Sequence, residues 1–414
     1  MSKYSHLDLI RQRYPKPACL KVYQALLDVV RGHTDEVKWH SFSQSEWDLL
    51  GDMTLREGLA GLVYHTWKQN QRPANVPILL FAQLGTVFLS SQQQFSATQT
   101  ELTTRIAKAL AKADLQMIIT KGTALAGSLY PQTGMRPMID LDCLVSHSAL
   151  SHTAAVLSEL GYKEVHNQLS LPWRGFQEHH VVMCLPNDHQ ALPLELHYAL
   201  LNAREDFFEL NTEWFLSQTE PFYSISANGK SAPDNSLLTF TPAAHLLHLA
   251  VHLMMHHGVG ASDLLHFYDI HLLLERWGSQ INWDELLAAA RDMNLDYAIY
   301  AAVEGCSVRF GTPIPPALSR PPSGRRVQSL KNYIEVREKA RPQTSTERYL
   351  RKLSNRPLFS QIAIMLRFAF PKPEYMRWRY RLKPIWLWPM SYPVRWGIGI
   401  SHLFGMLTRR TKIK

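Results

Sequence analysis

The 414-residue chain holds only four cysteines, Cys19, Cys143, Cys184 and Cys306, scattered without a C-x-x-C pair. That excludes a disulfide-stapled scaffold and a zinc ribbon, and it suits reduced thiols in the cytoplasm. Uninterrupted apolar runs are missing as well. The stretch from Val76 to Leu89 is broken by Gln83 and too short to span a bilayer; the longer one from Ile385 to Leu407 is interrupted by Pro389, Pro393 and Arg395. The opening MSKYSHLDLIRQRYPKP lacks the charged-then-apolar layout of a secretion signal, so a cytoplasmic location is expected. No low-complexity tract or fixed-period repeat is found. With 46% hydrophobic and 19% charged residues, the composition is that of a folded protein with sizeable cores.

Acidic residues are scarce at one end only. Residues 1–319 carry 22 basic and 31 acidic side chains, whereas 320–414 carry 22 basic and 4 acidic, so the formal charge of +9 divides into −9 and +18. Within 366–414, 11 basic side chains face Glu374 alone, and Trp378, Trp386, Trp388 and Trp396 are interleaved among them. Such a mixture suits a lipid headgroup surface or a nucleic-acid strand. No nucleic-acid module accompanies the charge, so peripheral attachment to an anionic membrane surface, at its inner face, is expected ahead of RNA binding. Prolines at 371, 373, 384, 389 and 393 argue against one regular amphipathic helix.

Periodicity divides the chain into four parts. Residues 1–110 read as a helical N-terminal module, with apolar positions at three and four residue intervals from Val76 to Lys112. Residues 111–203 read as an α/β core, because short β-rich runs appear at 115–120, 138–145, 180–185 and 192–200. Residues 204–311 read as a helical accessory domain, entered at Thr241 and Pro242 as N-cap and first-turn proline. Residues 312–414 begin with TPIPPALSRPPSGRRV, a proline-rich linker, and continue into the basic tryptophan-rich region.

The chemistry concentrates in KGTALAGSLYPQTGMRPMIDLDCLV, residues 121–145. A β-run ends at Thr120, and Lys121, Gly122 and Thr123 open a helix whose free amides suit a phosphate group. Asp140 and Asp142 then sit at i and i+2 in MIDLDCLV, so both carboxylates share a face while Ile139, Leu141 and Cys143 take the other. Two neighbouring carboxylates in an apolar strand repel each other and lose hydration unless a cation lies between them. Hard oxygen ligands of this kind suit Mg²⁺, and a paired-metal site holds two ions about 3.5 to 4 Å apart. Glu195 is the expected third acid: in LPLELHYAL, Leu194 and Leu196 alternate with Glu195 and His197. Glu178 and Asp188 are alternatives that spacing does not exclude. Arg136 and Lys121 are expected to contact phosphate, the first as a fork and the second as a point charge. His197 is expected to orient a carboxylate or contact the acceptor.

These residues resemble the nucleotidyltransferase superfamily of DNA polymerase β type, and within it the branch of uncharacterised nucleotidyltransferases. The likeness lies in Lys121-Gly122 before a helix, Arg136 ahead of Asp140-Leu-Asp142, the triplet Glu195-Leu196-His197 and a His-rich helix, over roughly 90–280. Where that superfamily has Gly-Ser, this chain has Gly122-Thr123, which keeps a hydroxyl. The resemblance implies an α/β (α+β) polymerase β-type core flanked by a helical N-terminal module, a C-terminal helical bundle and a basic tail. It further implies that Asp140, Asp142 and Glu195 hold Mg²⁺ and triphosphate, and that an NMP passes from an NTP to an acceptor, which is a small molecule, a peptide or a protein. Two other readings remain open: a non-catalytic nucleotide-sensing or partner-binding protein of the same fold, and an RNA-modifying transferase that uses the +18 region.

Seven of the 19 histidines fall between 245 and 271, and His245, His248, His252 and His256 share one helical face. With Asp263 or Asp269 they offer zinc-type spacing. The leucines on the same helix and the absence of an HExxH signature favour a polar packing seam against the core.

Overall fold

The computed structural model describes residues 18–338 apart from 70–71, 166–179, 187, 189–190, 201–209, 224, 227–228, 231–234 and 258–263; beyond 338 it describes 370, 389–390, 392–393 and 396. The chain divides into two compact units, Met1–Val165 with His179–Arg341, and His166–Glu178 with Pro342–Lys414. In the second unit Phe370 meets Trp396 edge-on at 5.3 Å between ring centroids, with Tyr392 beside both. The expected membrane or RNA contacts of 366–414 otherwise lie outside the described residues.

The first unit opens with helices. Helix α1 is Cys19–Val30. Helix α2, Gln44–Arg56, starts at a reciprocal cap in which Ser43 and Glu46 satisfy each other's backbone amides. Helix α3, Ala60–Gln69, lies directly on the turn Thr133–Met135. A Cβ at Gly61 would collide with the Gly134 carbonyl, so that approach requires glycine. The long helix α4, Ile78–Glu101, buries Leu84, Phe88, Ser91, Phe95 and Thr98 at alternating four and three residue steps. It passes through a π-helical turn, Leu102–Ile106, into α5, Ala107–Lys112.

The sheet is mixed. Its strands are β1 (Met117–Ile119), β2 (Leu141–Leu144), β3 (Lys163–Glu164), β4 (His180–Cys184), β5 (Leu194–His197), β6 (Thr219–Pro221) and, after a small hairpin of β7 (Ile225–Ser226) and β8 (Gly229–Lys230), β9 (Leu237–Phe240). Their order is β3-β4-β5-β2-β1-β9-β6. β2 runs parallel to β5, β1 parallel to β9, and the other neighbours are antiparallel. Helices α6 (Lys121–Ser128) and α7 (Leu150–Glu159) follow β1 and β2. The helix-rich remainder comprises α8 (Thr212–Ser217), α9 (Pro242–Val251, continued by the π-helical His252–His257), α10 (Leu264–Trp277), α11 (Trp283–Asp292), α12 (Asp296–Phe310) and α13 (Arg325–Glu338). Among the described residues no helix is long and apolar enough to cross a membrane.

Each face of the sheet has its own core. Leu141, Cys143, Leu194 and Leu196 join α5 and α7 on one face. Leu144 and Ile118 meet the core shared by α1 to α4 and α9 to α12 on the other. The strand expected from Met138 begins at Leu141, whose N–H donates to the Pro193 carbonyl at 2.9 Å. Pro137 upstream has no N–H to add to a ladder, and Ile139 is 81% exposed rather than packed with Leu141 and Cys143.

Candidate active site

Register assembles the site. Asp142 of β2 is the partner of Glu195 on the parallel strand β5, and His197 two residues on is the partner of His180 on the antiparallel strand β4. Asp142, Glu195, His197 and His180 therefore stand on one face of three adjacent strands. What fixes this register is the opposite face, where Leu141, Cys143, Leu194 and Leu196 are buried. A slip by one residue would drive the acids into that core.

Lys121 approaches from the first turn of α6. Its backbone is left-handed at φ +46°, a conformation that costs a non-glycine residue roughly 1 kcal/mol. The amino group lies 2.7 Å from Asp142 Oδ1. His197 Nε2 is 2.9 Å from the same oxygen and 3.4 Å from Glu195 Oε2, and His180 Nε2 is 3.8 Å from Glu195 Oε2. Burial alone would raise the Asp142 carboxyl, but Lys121 and the hydrogen bond from His197 override it and hold Asp142 well below the usual carboxylate range. Burial likewise opposes charge on His197, yet its bonds to Asp142 and Glu195 raise it. The hydrogen bond from His197 also lowers Glu195, while burial lowers His180.

Asp140, one residue before β2, has the opposite environment. Burial first and the neighbouring Asp142 second push its carboxyl up to about 6, against the pull of Lys121. Asp140, Asp142 and Glu195 thus form one electrostatic group.

The remaining expected residues have partners of their own. Arg136 is buried and forks onto Asp269 of α10, with Nε 2.8 Å from Oδ1 and Nη2 2.8 Å from Oδ2. Tyr130 donates to the same carboxylate at 2.7 Å. Gly122 is where this arginine crosses α6: a Cβ there would lie 2.5 Å from Arg136 Nη1. The Thr123 hydroxyl is buried against Met138 Sδ at 3.5 Å. Asp188 lies exposed in the β4–β5 turn and accepts the Ala191 N–H, and Glu178 is outside the described residues. In α9, His245 and His248 are buried edge-on against Phe240 of β9, and His252 follows His248 at 6.2 Å. Burial drives His245 down to about 4 and holds His248 well below its ordinary value. Their neutral rings form the packing seam anticipated for this helix.

Sequence reasoning missed three contributors. Asp269 is 133 residues from Arg136, and although Tyr130 is only six residues away, nothing local announces that the two meet on one carboxylate. His180 was legible in principle: it heads the run HVVMC, and pairing that run against LELH puts it opposite His197.

A mixed sheet that presents acidic side chains from neighbouring strands beside a helix-opening Lys-Gly is consistent with the nucleotidyltransferase fold. The chain belongs to the family described as uncharacterised nucleotidyltransferase, which matches residues 43–311. Among solved structures it is similar to the antibiotic-resistance factor ANT(2'')-Ia, at 16% identity and a TM-score of 0.32, over 51% of this chain and 97% of that one. No curated protein matches it. Enzymes of nucleotidyltransferase families use an NTP and divalent metal in general.

Proposed function

We propose that the protein is a Mg²⁺-dependent nucleotidyltransferase that moves an NMP from an NTP to a nucleophilic acceptor, which is a small molecule, a peptide or a protein. The observation that carries this reading is the register of Asp142 with Glu195, with Asp140 one residue outside the ladder. Three carboxylates gather there, and burial followed by the charge of Asp142 raises Asp140 to about 6 despite Lys121 and Arg136, a strain that a bound cation would relieve. The oxygen donor set fits Mg²⁺, and Asp140, Asp142 and Glu195 are the residues that would hold it. When bound, the ion neutralises phosphate charge and polarises the phosphoryl oxygens.

The chain's own groups supply the rest. The acceptor oxygen or nitrogen forms a bond to the α-phosphorus, the bond from that phosphorus to the β-bridging oxygen breaks, and pyrophosphate leaves. Glu195, kept ionised by His197, takes the acceptor's proton. Lys121 transfers its contact from Asp142 to the triphosphate as a point charge, and the α6 amides around Gly122 and Thr123 face the same phosphates. Arg136, committed to Asp269, positions the 137–142 segment from behind. The four-part organisation at 1–110, 111–203, 204–311 and 312–414 belongs to the same proposal.

The test is calorimetric titration of each NTP, with and without Mg²⁺, into the full chain and an Asp140→Ala, Asp142→Ala variant. Binding that needs both the ion and the aspartates is expected. Binding that ignores both would sink the reading, and metal-dependent binding without turnover on any acceptor would favour a nucleotide sensor.

A further inference from the structure

His180 plays no part in the transfer proposed above, yet it completes a second group of donors. Among the described residues, the His, Cys, Asp and Glu side chains whose ligand atoms gather are His180, Glu195 and His197, all within 4.8 Å of one another. The Glu195 oxygen lies 3.4 Å from His197 Nε2 and 3.8 Å from His180 Nε2. Ligand bonds of about 2.0 to 2.2 Å place tetrahedral donors roughly 3.3 to 3.6 Å apart, so small side-chain movements bring all three onto one ion.

The backbone makes this grouping robust. His180 and His197 are direct partners across β4 and β5, and Glu195 is two residues along β5 on the same face. Their ring centroids are 4.9 Å apart. The site is also reachable, since the His180 and Glu195 side chains are 20% and 25% exposed while His197 is 5% exposed. An ion therefore has an outer side open to water and an inner wall formed by a buried imidazole.

We infer that His180, His197 and Glu195 form a site for a nitrogen-preferring divalent transition metal of the Zn²⁺ class, with at least one coordination position open to solvent. Two imidazoles and a carboxylate are the donor set that such ions select, whereas Mg²⁺ prefers oxygen alone. Asp142 borders the site, and because its oxygen lies 2.9 Å from His197 Nε2, the nitrogen offered to the ion, metal binding would replace that hydrogen bond and bring Asp142 within reach as a further ligand. The inference does not require nucleotidyl transfer. Glu195 is common to both sites, so a bound transition metal and Mg²⁺ would share it.

The test uses Co²⁺ alone, whose visible absorption reports a compact nitrogen and oxygen ligand field. The wild-type full chain should bind one equivalent with saturable absorption that Zn²⁺ abolishes and an excess of Mg²⁺ does not. His180→Gln should weaken Co²⁺ binding by more than about 100-fold, because even residues behind the ligands are worth 10 to 100-fold. His180→Cys should retain binding and add a thiolate-to-metal band, a gain that misfolding cannot produce. His152→Gln, at an exposed position on α7, should leave the spectrum unchanged. Absorption that survives His180→Gln, or that Mg²⁺ displaces as readily as Zn²⁺, overturns the site, as does its absence from wild type. None of these outcomes changes the Mg²⁺ and NTP titration, so the two proposals fail separately.

Discussion

The Lys121 ammonium lies 2.7 Å from Asp142 Oδ1, on the oxygen that a divalent cation would be expected to claim. Lysine thus supplies part of the positive charge that the carboxylates require. The cost is a left-handed backbone at Lys121, which a residue with a Cβ adopts only under constraint.

Removing that charge should make the fold depend on metal. Lys121→Met leaves Asp142 buried with His197 as its remaining cationic partner, and uncovering one member of a buried pair costs on the order of 3 kcal/mol. Urea unfolding in EDTA should show that loss. Adding Mg²⁺ should restore much of it, because the ion no longer has to displace an ammonium. Equal destabilisation with and without Mg²⁺ would show that Lys121 and the ion do not share a place.

Asp140 gives a pH signature of unusual sign. Its folded carboxyl sits at about 6 against an ordinary value of 3.8, so between those values the folded chain binds more protons than the unfolded one. The stability it contributes is present below 3.8 and is lost as pH rises through 6, on the order of 2 kcal/mol for this partly buried group. Asp140→Asn should be more stable than wild type at pH 7 in EDTA and close to it near pH 4. No gain at pH 7 would mean that Asp140 is already compensated.

The buried fork between Arg136 and Asp269 separates stability from positioning. Asp269→Asn leaves the Arg136 guanidinium buried against a neutral amide and should cost about 3 kcal/mol or more. The double variant Arg136→Met, Asp269→Leu should recover much of that stability, since apolar replacement of a buried pair is often neutral. It should not recover nucleotide turnover, because the segment from Pro137 to Asp142 loses its anchor. The expected loss falls in kcat rather than in KM for the NTP. Full turnover in a stable double variant would reduce the fork to packing.

How much of this was legible beforehand follows the range of the interactions. Asp142, Glu195 and His197 were readable because a period of two sets their face locally and the leucines between them identify the buried side. The strands at 117–119, 180–184 and 194–197 fall within the β-rich runs for the same reason. The Arg136 partner was not readable: Asp269 lies 133 residues away, and an arginine ahead of two aspartates looks the same whether it holds phosphate or a distant carboxylate. The Thr123 hydroxyl contact with Met138 was likewise not readable, since it joins residues 15 apart across the turn between α6 and β2. Ile139 looked like core because it alternates with Leu141, but the ladder starts one residue after Asp140.

The histidine seam predicts acid sensitivity opposite in sign to Asp140. His245 is buried, its Nε2 has no hydrogen-bond partner among the described residues, and burial lowers it from 6.5 to about 4 despite the pull of Asp269. Between those values the unfolded chain binds more protons, so the stability from a neutral His245 is complete above 6.5. It is lost as pH falls toward 4, by on the order of 3 kcal/mol. Because the Asp140 contribution runs the other way across much of this window, the wild-type profile shows only their difference. The two separate in variants: His245→Asn in an Asp140→Asn background should flatten the fall in stability from pH 6.5 to 4 that Asp140→Asn alone displays. Denaturant unfolding at half-unit pH steps measures it, and an undiminished fall in the double variant would assign the acid sensitivity to other groups.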